Sequence, residues 1–119
     1  MKRRHLTTAL AVLPTLRAAR TRGVPEEVAQ LDALLTLIAS VDDVRVEQDR
    51  GPLAVRLVQQ DAAAVLAAGG CGTDEGRRLL AELDEETVRY GICPAASGAL
   101  LTVVLFLDSV DEHPLPITA

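Results

Sequence analysis

Hydrophobic positions recur along the chain at intervals of three and four residues, a spacing that predicts helices rather than strands. The clearest case runs from Pro25 to Asp42, where two glutamates that suit a helix N-terminus precede a single apolar stripe. That stripe consists of Val28, Leu31, Leu34, Leu35, Ile38 and Val41. We therefore predict a helix that begins near Pro25 and ends near Asp42.

Four further segments carry helical spacing. They run from Leu6 to Thr21, from Pro52 to the stop at Gly69, from Thr73 to Gly91 and from Pro94 to Val110. Pro14 should kink or split the first segment because proline lacks an N–H donor. The polar residues 44–51 are expected to connect two helices. The last segment is apolar on nearly every side over residues 95–107, so we expect it to be central and buried all round.

Together the five segments predict an all-α fold, a single compact bundle of about five helices with a buried C-terminal helix. The length of 119 residues suits one domain spanning residues 1–119, and no linker interrupts it. Hydrophobic residues make up 49% of the chain and aromatic residues only 2%, so Ala, Leu and Val must form the core. Residues 111–119 contain two prolines and are expected to form a flexible tail.

The net charge of −5 argues against a nucleic-acid partner, because phosphate binding usually requires a concentrated excess of Lys and Arg. The longest uncharged stretch, residues 90–107, is slightly short for a membrane span and contains Pro94, so no membrane segment is expected. Cys71 and Cys93 are too few and too far apart for a zinc pattern. Nothing at the start is typical of a signal peptide, and we expect a cytoplasmic protein.

Two local features are candidates for chemistry. The adjacent carboxylates Asp42 and Asp43 follow a predicted helix and could supply oxygen ligands to Mg²⁺, although a solvated helix end is the simpler alternative. The glycine-rich turn over residues 69–72 leads into a helix N-terminus, where free backbone amides could hold a phosphate. That turn does not match a P-loop, and a plain flexible connector is the alternative.

Three blocks of the chain, in order and with near-family spacing, resemble the triphosphoribosyl-dephospho-CoA synthase family. They are residues 31–43, 64–72 and 94–108, and the upstream residues 13–20 fit as well. The resemblance covers about Leu6 to Asp108. It implies an all-helical fold and a transferase that moves the triphosphoribosyl portion of ATP onto 3'-dephospho-CoA and releases adenine.

The resemblance also implies site residues, with Asp42 and Asp43 linked to a metal and with Arg50 and Ser97 binding nucleotide or phosphate. The implied cofactor is Mg²⁺ together with ATP. The family continues the Asp-Asp pair with Thr-Asn-Val-Leu-His-Arg, whereas residues 44–50 here read Val-Arg-Val-Glu-Gln-Asp-Arg. A late Gly-Gly and Asp of the family are replaced by Ala95, Ala96 and Ala99.

Two hypotheses follow from these departures. In the first, the chain is a helical subunit that is not catalytic alone and acts as an interaction or regulatory partner. In the second, it is the C-terminal-half subunit of a split ribosyl transferase that uses ATP and dephospho-CoA or a related acceptor. Both predict a homo-oligomer or a complementary amino-terminal-half subunit, because half of a larger helical domain leaves an apolar face.

Overall fold

In a computed structural model, residues 3–112 are described and form six helices, with no strand in that range. The helices are α1 (Arg3–Thr21), α2 (Glu26–Ser40), α3 (Val44–Arg50), α4 (Pro52–Ala67), α5 (Asp74–Tyr90) and α6 (Ala95–Glu112). The predicted all-α fold is confirmed. The expected tail began at residue 111, but residues 111 and 112 continue α6, and residues 113–119 lie outside the described part.

The helix α3 occupies the segment that was expected to be a polar connection, and that prediction is wrong. Asp43 precedes it as the N-cap, with a side chain that accepts hydrogen bonds from the N–H groups of Arg45 and Val46. Gly51, with φ of 86°, ends it. A second difference concerns Pro14, which does not split α1. Pro14 is exposed, a position at which water can bond a backbone carbonyl that lacks its donor.

The helix at the centre of the fold is α2. Its residues Ala33 and Leu37 belong to a core cluster shared with α1 and α6. Its residues Leu35 and Ile38 belong to a second cluster shared with α3, α4 and α5. Two apolar faces on one helix therefore join the two halves of the core, and the central position expected for the C-terminal helix belongs to α2 instead.

The C-terminal helix α6 is buried along one face. That face consists of Ser97, Leu100, Val104 and Asp108. On the other side Phe106 is 59% exposed, so the burial expected on all sides of this helix is not observed. No helix within the described residues is both long and apolar enough to cross a membrane.

The helix α5 starts against a tightly packed glycine turn. Thr73 is its N-cap and accepts a hydrogen bond from the N–H of Gly76 at 3.0 Å. A Cβ atom on Gly76 would lie only 1.7 Å from the carbonyl oxygen of Gly70, so no larger residue fits there. From this turn α5 runs back along α4, the one described helix against which its backbone packs closely.

Candidate functional site

Two of the predicted site residues, Asp43 and Ser97, meet in the structure although 54 residues separate them. Oδ2 of Asp43 accepts hydrogen bonds from the backbone N–H and the hydroxyl of Ser97, at 2.8 and 2.9 Å. Oδ1 accepts from the N–H groups of Arg45 and Val46, at 3.0 and 3.2 Å. One carboxylate therefore satisfies orphan N–H groups in the first turns of both α3 and α6.

Asp43 is 1% exposed and Ser97 is fully buried. A buried carboxylate is costly unless it is well bonded, and here four donors and the positive ends of two helices offset that cost. Each oxygen of Asp43 already accepts two hydrogen bonds, which fills its acceptor capacity. Coordination of a metal by Asp43 would therefore require the loss of at least one of these bonds.

Asp42 lies next to this buried group but points to the surface. It is exposed, and its Oδ1 accepts a hydrogen bond of 2.9 Å from Nε2 of Gln59, which also donates to the carbonyl of Val41. Among the side chains that the structure describes, those of residues 7–110, no group of three or more His, Cys, Asp or Glu is placed to hold a metal. The metal role of Asp42 and Asp43 stays a prediction, and it would need further ligands beside these two carboxylates.

Arg50 lies at the opposite end of α3 from Asp43, about 10 Å away along the helix axis. Its Nε donates to the carbonyl of Gly91 at 3.4 Å. It lines an open groove of about 280 Å³ together with Ala54, Leu57, Tyr90 and Ile92. Of the four predicted site residues, the structure thus joins Asp43 to Ser97, with Asp42 alongside, and leaves Arg50 apart. Phosphate binding by Arg50 and Ser97 stays a prediction.

A buried charged cluster that the sequence did not reveal lies at the other end of α6. Asp108 is 4% exposed and accepts hydrogen bonds from Arg17 at 3.1 Å and from Arg20. Arg20 also bonds both carboxylate oxygens of Glu26. Burial raises the pKa of Asp108, but the hydrogen bonds from Arg20 and Arg17 outweigh it, and the net pKa lies below the ordinary value. This cluster ties α6 to α1 and α2.

A second group of carboxyls that no spacing indicated lies between α4 and α5. Asp61, Glu82 and Glu86 line a small cavity of about 50 Å³. Oδ2 of Asp61 and Oε2 of Glu86 are buried and have no hydrogen-bond donor. Burial, followed by the effect of the neighbouring Glu86, raises the pKa of Asp61 to about 6. A proton held by one of the two carboxyls would let them bond each other.

Comparison with known proteins identifies relatives over nearly the whole chain. The profile of a family described as ATP:dephospho-CoA triphosphoribosyl transferase matches residues 5–116. The 2-(5''-triphosphoribosyl)-3'-dephosphocoenzyme-A synthase of Klebsiella pneumoniae is 42% identical over 106 residues, which cover 89% of this chain and 37% of the relative. A probable synthase of Pseudomonas putida is 44% identical over 96 residues, which cover 81% and 34%.

A probable synthase of Pseudomonas fluorescens is 39% identical over 100 residues, which cover 84% of this chain and 34% of the relative. The chain thus spans about a third of the length of the curated relatives it matches. No solved structure matches it. The matched region contains α2, the contact between α3 and α6 at Asp43, and the glycine turn before α5. The family match and these identities show that the chain belongs to the ATP:dephospho-CoA triphosphoribosyl transferase family.

Proposed function

We propose that this chain is a helical subunit of the triphosphoribosyl-dephospho-CoA synthase type that does not catalyse transfer alone and acts as an interaction or regulatory partner. The main support is the state of Asp43, whose two oxygens are fully used in joining α3 to α6. Transfer of a triphosphate-bearing group needs cationic or metal stabilisation of the phosphates. Asp42 and Arg50, the more accessible candidates, lie at opposite ends of α3.

The position of Ser97 supports the same proposal. Its hydroxyl is buried and already bonded to Asp43, so a phosphate group would first have to displace that contact. The neighbouring Ala95, Ala96 and Ala99 carry methyl groups along the first turns of α6. These methyl groups hinder the close approach of a phosphate to the backbone and supply no ligand to a metal.

A second candidate is half of a split transferase, and the 42% identity to the Klebsiella pneumoniae synthase favours it. In this candidate a complementary amino-terminal-half subunit supplies the remaining donors. Arg50 would contact phosphates of ATP from the groove that it lines with Tyr90, and Asp42 would contribute to binding Mg²⁺. The acceptor would be dephospho-CoA or a related molecule.

The two candidates differ in what the purified chain does with substrates. Under the first candidate we expect no adenine release when the chain is incubated with ATP, Mg²⁺ and dephospho-CoA, because transfer would need further donors to stabilise the triphosphate. Adenine release by the chain alone would overturn the first candidate. Release only after the addition of the part of the Klebsiella pneumoniae synthase outside the match would favour the split transferase.

Calorimetric titration with ATP and Mg²⁺ tests the site residues directly. Under the split-transferase candidate, Arg50→Ala weakens ATP binding, whereas Arg56→Ala on the exposed surface of α4 does not. Asp42→Ala should weaken the Mg²⁺-dependent part of that binding. Under the first candidate the chain and all three variants give no heat of binding.

A further inference from the structure

The exposed residues of α6 follow a regular pattern. They are Ala95, Ala99, Thr102, Phe106 and Ser109, at intervals of four, three, four and three residues, and we call them the α6 outer face. None of the five is charged. An alternation of four and three residues repeats every 3.5 residues on average, which is the spacing of the seam along which one helix packs on another. The residues of the α6 outer face therefore have the spacing of a surface on which another helix packs.

The sizes of these side chains also suit a helix contact. Ala95 and Ala99 allow a neighbouring helix to approach closely, because the distance between packed helices depends on the side chains at the contact. Phe106, the single phenylalanine of the chain, projects from the same face and is 59% exposed. Large aromatic side chains of this kind anchor protein contacts when they enter a pocket.

The rotation of α6 about its own axis is set by polar contacts at both ends. Near its start, the N–H and hydroxyl of Ser97 bond Asp43, and near its end Asp108 bonds Arg17 and Arg20. Turning α6 to bury Phe106 would pull Ser97 and Asp108 away from these partners. The structure therefore holds the outer face in place before any partner arrives, which reduces the entropy cost of binding.

The curated relatives indicate what covers this face. They are more than twice as long as this chain, and the residues of α6 lie within the range 5–116 that the family match covers. In those longer proteins, additional chain is available to pack on the corresponding helix. An uncharged face at helical spacing also matches an all-helical partner better than an acidic, basic or nucleic-acid one.

We propose that the α6 outer face binds an amphipathic helix from the portion of the family's fold that lies outside the match to this chain, with Phe106 as the anchor. This inference rests on the partner-dependent function proposed above. The partner helix carries an uncharged stripe, with a pocket of small residues opposite Phe106 and larger aliphatic side chains opposite Ala95 and Ala99. A second copy of this chain is the competing occupant.

The test is to co-express the chain with the part of the Klebsiella pneumoniae synthase outside the match, and to measure the complex by sedimentation and titration. We expect a one-to-one complex. Phe106→Glu should weaken it at least tenfold, about 1.4 kcal/mol, because a carboxylate would enter the apolar contact. The matched control is Val88→Glu on α5, where the replaced side chain is 76% exposed, and it should leave the affinity unchanged.

Circular dichroism of the isolated variants verifies that both fold, as expected for exposed positions. A dimer of this chain that Phe106→Glu dissociates would overturn the proposal in favour of a second copy. A complex that Phe106→Glu does not weaken, or no soluble complex with the unmodified chain, would also overturn it. Adenine release is measured separately, so a complex without transferase activity supports this interface whatever its catalytic role.

Discussion

The helices α5 and α6 are almost equal in length, with 17 and 18 residues, but the charge of their exposed side chains differs. The exposed side of α5 is mostly charged, although Val88 and Tyr90 near its end are also exposed. Its ion pairs are Arg77 with Asp74, and Arg78 with both Glu75 and Glu82. Over residues 95–110 of α6, the single charged side chain is Asp108, and it is buried. The exposed surface of α5 is therefore well suited to contact with water, whereas α6 exposes an uncharged stripe.

The two helices also differ in how they are held. The backbone of α5 packs on α4, and its start is fixed by the close contact of Gly76 with the turn at Gly70. The helix α6 is fixed by polar contacts near both ends, at Ser97 and at Asp108. Apolar composition alone does not decide which face of a helix is buried, because these contacts set the rotation of α6 and leave Phe106 outside.

The largest effect is expected when the same substitution is made in both helices. Gly76→Ala in α5 places a Cβ atom 1.7 Å from the Gly70 carbonyl oxygen, and should lower the unfolding free energy by more than about 3 kcal/mol. Gly98→Ala in α6 meets no atom within 4 Å and should stabilise the helix by up to about 1 kcal/mol. Urea denaturation measures both. Equal midpoints for the two variants would contradict this comparison.

A smaller but clear effect is expected at the start of α6. Asp43→Ala leaves four donors without their acceptor, including the buried hydroxyl of Ser97, and should cost roughly 2–4 kcal/mol of stability. Asp42→Ala removes only an exposed bond from Gln59 and should cost less than about 0.5 kcal/mol. Thermal and urea unfolding of the pair measure the difference. A similar loss in both variants would show that the capping role assigned to Asp43 is wrong.

The carboxyl pair between α4 and α5 predicts a pH dependence. In the folded state the pKa of Asp61 is raised to about 6, whereas the unfolded chain releases this proton near pH 4. Stability should therefore fall as the pH rises from about 4 to about 6, and stay lower above that range. Asp61→Asn should flatten this part of the profile and make the protein more stable than the unmodified chain at pH 7.

Glu85→Gln is the matched control, because it removes one negative charge from an exposed position on α5. It should leave the fall between pH 4 and pH 6 in place. The measurement is the unfolding free energy from urea titrations at half-unit pH steps. An unchanged slope in Asp61→Asn would rule out Asp61 as its source.

Much of the fold could be predicted from the sequence because five helices are long enough to show periodic apolar positions. The exception is α3, whose seven residues are too few for a clear period, although Asp43 before it and Gly51 after it are ordinary boundary residues. The centre of the fold was assigned to α6 on composition. The centre lies at α2 because that helix has two apolar faces. Its apolar residues were interpreted from the sequence as a single stripe, so the second face was missed.

The candidate site could be predicted only in part. Asp43 and Ser97 were both singled out, but their mutual contact joins residues 54 positions apart, which no local spacing encodes. The same holds for Arg17 and Arg20 with Asp108, which are 88 or more positions apart. The signal available in the sequence was Asp108 itself, a lone acidic residue near the end of an apolar helix, because a buried carboxylate requires a charged or hydrogen-bonding partner.

The smallest effect is expected on the charged surface of α5. Arg78→Ala removes the contacts of this side chain with Glu75 and Glu82, which are exposed on the helix surface. Exposed ion pairs contribute little and are screened by salt, so the melting temperature should fall slightly and the difference should vanish in about 1 M NaCl. Phe106→Ser on α6 should leave the melting temperature of the isolated chain unchanged at either salt concentration, because this side chain is exposed. A marked, salt-independent loss in Phe106→Ser would mean that Phe106 packs within its own chain, and α6 would then lack an open outer face.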